Sequence, residues 1–340
     1  MKAVGYQKSF PINDANALLD IDLPKPVATG RDVLVRVRAI AVNPVDTKIR
    51  LRQAPTDSGY AVLGWDACGV VEAVGDEVTL FKAGDEIWYA GAVNRPGCNA
   101  EYHLVDERIV GKKPHSLSFA DAAAMPLTTL TAWELLFDRL RVSQGKHGEG
   151  ETLLIIGGAG GVGSMLIQLA AKLTRINVIA TASRPETQAW CKKLGATHVI
   201  DHNGDLVAQC KALGIEHVDY VASLTQSQQH FAACAELLVP QGQYALIDDP
   251  EALNINLLKR KSISLHWEFM FTRSLFQTSD MIRQHEILDA VADIVDGGFL
   301  ESTVSNHFGT INATNLKRAH ALIESGKSIG KIVLEGFVKT

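Results

Sequence analysis

Residues 32–42 (DVLVRVRAIAV) alternate along the chain. Val33, Val35, Val37 and Ala39 fall on one face and Arg36 and Arg38 on the other, which is the period of a half-buried strand. Residues 68–75 (CGVVEAVG) and 84–88 (GDEIW) repeat that texture, and Gly and Pro punctuate everything up to about residue 125. This part of the chain reads as antiparallel β with loops. From residue 126 to 265 the pattern changes. Short apolar runs at 153–156, 178–182, 198–200, 219–223 and 243–247 alternate with helical segments, among them 162–174 and 186–194. Strand-helix alternation of this kind builds a parallel sheet with helices on both faces. Then follow an edge strand at 262–267, helices near 279–296 and 314–325, and a last strand at 331–335. The end of the chain resembles its beginning more than its middle. The expected division is residues 1–125, then 126–265, then a return segment 266–340 that completes the first domain.

Composition narrows the field of functions. The chain has 340 residues, 46% of them apolar and 21% charged, with a net charge of -5. That excludes a disordered chain and a strongly basic nucleic-acid binder. Five cysteines are scattered without a CxxC pair, which points to free thiols in a reducing cytoplasm. The first ten residues hold no apolar core of a signal peptide. Residues 152–171 carry no formal charge and are long enough to span a bilayer. Five glycines between 157 and 163 would break a helix there, so the run divides into strand, turn and helix, and no membrane role is expected.

The turn Gly158-Ala159-Gly160-Gly161-Val162-Gly163 fits the GxGxxG pattern. It follows an apolar strand and opens a helix, the context in which glycines let the backbone approach a pyrophosphate. The bland alternative is a tight connection and nothing more. An NAD site needs an acid at the end of the second strand to bind the ribose 2′-hydroxyl. Here that stretch reads Thr181-Ala182-Ser183-Arg184, so an arginine and a hydroxyl are available to a 2′-phosphate. NADP(H) is the expected cofactor. Against it stands a solvated Arg184 with Ser183 as a helix cap before Pro185.

Several motifs occur together in order: Asn43-Pro44-Val45-Asp46, residues 64–71 (GWDACGVV), Gly84-Asp85, the glycine turn, Leu194-Gly195-Ala196 and residues 330–333 (GKIV). On these the chain resembles the medium-chain dehydrogenase/reductase family, in its zinc-free quinone-oxidoreductase-like branch, and bacterial proteins often labelled zinc-binding alcohol dehydrogenases. The resemblance implies a GroES-like, mainly antiparallel β domain formed by both chain ends around a central doubly wound α/β (Rossmann) domain, with the active site in the cleft between them. Zinc-dependent members hold catalytic zinc through a Cys and a His-Glu pair. The matching positions here are Asn43, Trp65 and Asp66, and only Cys98 lies where a four-cysteine structural lobe would be. His198 with His202, and His285-Glu286, do not supply metal-site spacing. No metal is therefore expected.

Without a Lewis acid, the feasible reaction is hydride addition to an activated C=C, as in a quinone or an α,β-unsaturated carbonyl. The resemblance assigns Asn43 and Asp46 to the pocket floor, with Tyr60 the candidate acidic hydroxyl. A turn residue, a helix cap and a packing tyrosine are their bland readings. It places Thr131, His202, Leu224, Thr225 and Lys331 at the cofactor beside Gly158, Gly160, Gly161, Val162, Gly163, Ser183 and Arg184. Trp65, Trp88, Asn94, Trp267, Phe269 and Phe271 are candidate substrate-pocket walls; a dimer edge or plain core competes for the run at 266–271, and core packing for Trp88. Relatives pair the edge strand across a two-fold axis, so a homodimer is expected. Two other functions compete: a non-catalytic NADPH-binding sensor or structural protein, and a zinc alcohol dehydrogenase with atypical ligands.

Overall fold

The run TLLII becomes the strand Thr152–Ile156, buried at every position, inside a six-stranded parallel sheet of the computed structural model. The structure describes residues 1–55, 59–145 and 150–337. In spatial order the strands are His198–Ile200, Asn177–Thr181, Thr152–Ile156, Val218–Ser223, Leu238–Leu246 and Ser264–Trp267. Counted along the chain this is 3-2-1-4-5-6, the doubly wound order whose ligand crevice opens where strands 1 and 4 diverge. Helices Gly161–Leu173, Pro185–Leu194, Leu206–Ala212 and Ser227–Leu237 make the crossovers that parallel neighbours require. Leu154, Ile179, Val221, Phe231 and Leu246 form the core on one face. Residues 152–171 divide as expected into strand, turn and helix. No helix among the described residues is long and apolar enough to cross a membrane. All five cysteines are buried free thiols.

This sheet belongs to a compact unit of residues Thr131–Met270, while Met1–Leu130 and Phe271–Thr340 make a second unit. Both junctions fall five residues later than the sequence texture places them. The helix Pro126–Trp133 runs through the first junction, and apolar patterning carries no mark where a helix passes from one unit to the next.

The second unit holds a seven-stranded, mainly antiparallel sheet and a three-stranded one of Leu19–Asp22, Lys2–Tyr6 and Ala61–Val62. The last strand, Lys331–Glu335, pairs antiparallel with Asp32–Val42 through Ile332 opposite Val42 and Val333 opposite Ala41. On its other edge Asp32–Val42 pairs with Ala67–Val74. The half-buried reading of residues 32–42 holds only around the exposed Arg36 and Arg38; Val33 to Val35 and Ala39 to Val42 are buried on both faces. The strand is central, and helix Phe119–Ala123 packs on it with the Phe119 ring 4.9 Å from the Arg38 guanidinium. An alternating pattern shows only the stretch that reaches solvent.

Candidate functional site

In the parallel-sheet unit the glycine turn follows the first strand. Gly157 adopts a left-handed φ of +87°. Its N–H donates to Thr181 Oγ1 at 2.9 Å, and Gly158 N–H donates to the Thr181 carbonyl at 3.0 Å, which fixes the turn to the end of strand two. A Cβ on Gly163 would lie 2.4 Å from the Gly157 carbonyl oxygen and 2.5 Å from that of Gly158; on Gly158 it would lie 2.8 Å from Ala180 Cβ. Packing alone explains those two glycines. Gly160 is different, since its nearest neighbour would be 3.9 Å away. Gly160 is the N-cap of the 13-residue helix Gly161–Leu173, whose first turn has no acidic residue. The first N–H groups of a helix have no intrahelical acceptor and carry its positive dipole end. Half-buried Gly160, Gly161 and Val162 thus form an open cradle of donors that fits a pyrophosphate.

At the end of strand two Ala182 is buried, and Ser183 and Arg184 are half-buried. The residue capping helix Pro185–Leu194 is Arg184, whose N–H donates to Thr187 Oγ1 at 3.1 Å. The cap reading for Ser183 is thereby corrected: it stands one position too early. The Arg184 side chain lies 3.3 Å from Glu186 at the surface. Thr225 and Leu224 follow strand four and face Gly157, with Thr225 Cγ2 2.9 Å from where a Gly157 Cβ would be. Thr131 is buried in the helix Pro126–Trp133. His202 meets His230 edge-on at 6.4 Å.

In the other unit three neighbouring strands bring their ends together. Asn43 terminates Asp32–Val42, Asp66 precedes Ala67–Val74, and Lys331 begins Lys331–Glu335. All three side chains are 3% exposed or less. Lys331 Nζ donates to Asp66 Oδ2 at 2.9 Å, to the Val42 carbonyl at 3.2 Å and to Asn43 Oδ1. Asn43 Nδ2 donates to Asp66 Oδ2 at 3.1 Å, and Leu127 N–H to Asp66 Oδ1 at 3.0 Å. Lys331, expected at the cofactor, spends all three ammonium N–H groups inside its own unit. Asp46, in the first turn of helix Pro44–Arg52, accepts the Asn43 N–H at 2.6 Å. The bland helix-capping reading of Asp46 therefore describes its contact, although its burial exceeds what a cap needs. Burial pushes the Asp46 carboxyl up to about 7, against the pull of the Asn43 N–H and of Lys331. Burial also raises Asp66, opposed by Lys331 and the Leu127 N–H.

Gly64, at φ +106°, leaves no room for a side chain, since a Cβ would sit 2.4 Å from Asn99 Oδ1. It sets the direction of Trp65, whose indole N–H donates to the Ala92 carbonyl at 3.0 Å. Trp65 meets Phe271 edge-on at 6.4 Å, so two of the expected wall residues do come together. Trp88 is fully enclosed beside Gly111, the core position that competed with its wall assignment. Asn94 is exposed, and Tyr60 is 42% exposed. Trp267 and Phe269, in the parallel-sheet unit, are 54% and 46% exposed.

Comparison with known proteins fits this geometry. A family model described as the alcohol dehydrogenase GroES-like domain matches residues 29–115, and one described as zinc-binding dehydrogenase matches residues 194–334. The chain is 42% identical to a zinc-type alcohol dehydrogenase-like protein of Staphylococcus aureus, covering 98% of this chain and 99% of that one. It belongs to the medium-chain dehydrogenase/reductase family. Among solved structures of similar proteins, one of a putative zinc-dependent alcohol dehydrogenase from Rhizobium etli is 55% identical, with a TM-score of 0.96 and coverage of 100% and 99%. A quinone oxidoreductase from Pseudomonas syringae is 27% identical, with a TM-score of 0.84 and coverage of 98% and 99%.

The residues at this medium-chain dehydrogenase's counterpart of the zinc site do not fit zinc. An indole N–H has no lone pair to offer, and Asn43 Oδ1 and Asp66 Oδ2 both face the Lys331 ammonium. Among the described residues, no group of three or more His, Cys, Asp and Glu could hold a metal ion. Two groups escaped sequence reading. One is Asp66 as the hub of the Lys331 cluster. The other is Glu268, buried with Glu134 and bonded to Arg139 Nε at 2.8 Å. Burial and the facing Glu134 carboxyl hold Glu268 well above the ordinary carboxylate range. An acid within an aromatic run (HWEFMF) was the only available signal.

Proposed function

We propose that this oxidoreductase transfers hydride from NADPH to quinones or α,β-unsaturated carbonyls and works without zinc. The observation that carries the reading is an intact dinucleotide cradle combined with ligand positions that cannot take zinc. Support for NADPH over NADH comes from buried Ala182, where an acid would repel a 2′-phosphate, and from Arg184 beside it. The Arg184–Glu186 pair is a surface ion pair, worth at most about 1 kcal/mol, so a phosphate competes with it readily. The likeness to a quinone oxidoreductase supports the substrate class.

Bound NADPH supplies the hydride. Gly160, Gly161 and Val162 would hold its pyrophosphate, with Ser183, Thr131, His202, Leu224 and Thr225 as further contacts. Asn43 keeps one amide N–H beyond the one it gives Asp66, a donor for the oxygen that gains charge as hydride adds. Tyr60, 42% exposed, is the candidate hydroxyl for the proton. The edge strand Ser264–Trp267, with Trp267 half exposed, is the surface through which a homodimer would form, and the free buried thiols suit the cytoplasm.

The test is NADPH oxidation over a panel of quinones and enones. We expect turnover with at least one, and a preference for NADPH over NADH. Inactivity across the whole panel would refute the reading.

A further inference from the structure

We propose that the Lys331 ammonium takes the place of a metal ion as the cation that organises the Asn43–Asp66 site, which makes Lys331 a positioning residue for the reduction. The inference rests on the reductase reading for its kinetic part and on geometry for the rest. The central strand ends at Asn43, flanked in the sheet by Lys331 on one side and Asp66 on the other. The ammonium therefore reaches three oxygens, one from a carboxylate, one from an amide and one from the backbone. Three donors meet three acceptors, and Lys331 is 3% exposed. No N–H is left to touch a substrate, so Lys331 acts through its partners.

Its effect on Asn43 is directional. With Oδ1 turned to Lys331 and Nδ2 to Asp66, the carboxamide has one allowed orientation, and its remaining N–H points where those two contacts dictate. A neutral residue at position 331 would remove the donor that holds Oδ1 and leave the amide oriented by Asp66 alone. Asp66 would also be left as a buried carboxylate without its cation, the costly way to break an ion pair. A zinc ion bonds oxygen at about 2.0–2.2 Å. Reaching Asn43 Oδ1 and Asp66 Oδ2 at that range would drive it against the ammonium, so lysine excludes zinc by both volume and charge.

Full-length wild type, Lys331→Met, Lys331→Ala and the double variant Lys331→Met/Asp66→Asn test this. After incubation with zinc chloride and desalting, wild type is expected to retain no stoichiometric zinc; one zinc per chain overturns the proposal. Lys331→Met is expected to lower kcat at least tenfold with the KM for NADPH unchanged, and kcat within twofold of wild type overturns it. Ethylammonium added to Lys331→Ala is expected to restore much of the lost kcat where propanol does not; equal response to both overturns it. In thermal melts the double variant recovers most of the stability that Lys331→Met loses, and no recovery overturns the assigned ion pair. Should wild type reduce no quinone or enone, the reductase reading fails, and the zinc and melting results still decide the role of Lys331.

Discussion

Replacing Asp46 by asparagine removes a carboxyl that burial holds at about 7 and keeps an oxygen for the Asn43 N–H. In the unfolded chain the same group titrates near its ordinary value of 3.8. The folded state thus binds this proton more tightly, so wild-type stability is full below the unfolded value and is lost as pH rises towards 7. Each pH unit between the two values is worth about 1.4 kcal/mol. Relative to wild type, Asp46→Asn therefore gains less than about 1 kcal/mol at pH 4, rising to about 4 kcal/mol at pH 8 and level beyond. At about 2–4 °C per kcal/mol, the difference in Tm opens by roughly 10 °C across that range. The new amide group buries an N–H in place of a carboxyl oxygen and adds a penalty, but one that does not vary with pH, so the slope is the test. Thermal melts of both proteins from pH 4 to pH 9 measure it. Parallel curves would refute the argument, because they would mean that Asp46 keeps an ordinary carboxylate pKa when buried.

The cradle separates ligand from packing. Gly163→Ala, whose Cβ meets two carbonyl oxygens, is expected to destabilise the fold by about 1–3 kcal/mol and to abolish cofactor binding. Gly160→Ala brings its Cβ no nearer than 3.9 Å to the protein and is expected to leave the Tm within 2–3 °C while weakening NADPH binding at least tenfold by calorimetry. Arg184→Ala is expected to raise the KM for NADPH at least tenfold and that for NADH by less than twofold; equal effects would remove the 2′-phosphate assignment. Glu268→Gln removes a carboxyl whose folded pKa is raised, so the stability that wild type loses as pH rises above the carboxylate range is expected to be kept by the variant in melts from pH 5 to pH 9.

The parallel-sheet unit was legible because its central strands are buried on both faces. TLLII and the strands beside it read as continuous apolar runs, and the glycine spacing marks the turn without any knowledge of the tertiary structure. The central strand of the other unit was half legible, since its buried flanks interrupt the alternation that announces it. Lys331 and Asp66 stand 265 positions apart, and nothing local ties an apolar strand start to a lone acid so far away. The same holds for Glu268 and Arg139, 129 positions apart. Resemblance could place Asn43 and Lys331 near a pocket, but only sheet order shows that they are adjacent and what their side chains do. Capping failed by one position for a simple reason: the cap is set by the backbone N–H bonded to Thr187, and Arg184 ranks low among residues expected there.

The two acids beside Asn43 are unlike in a way that couples them. Asp66 receives Lys331 at 2.9 Å together with an amide and a backbone donor, whereas Asp46 holds the Asn43 N–H and feels Lys331 only across space. The cluster then joins a lysine and a carboxyl group at hydrogen-bond distance with, near neutral pH, an acid on the edge of titration. The lysine that orders Asn43 also draws the Asp46 proton off, and each carboxylate disfavours ionisation of the other. Removing the cation must therefore move the Asp46 transition to higher pH, and removing the anion must move it lower. The difference in stability between Asp46→Asn and its parent, measured against pH, should level off at higher pH than in wild type in a Lys331→Met background and at lower pH in an Asp66→Asn background. Midpoints that stay fixed in both backgrounds would show that the three groups titrate independently, and the cluster would then be three neighbours and not one site.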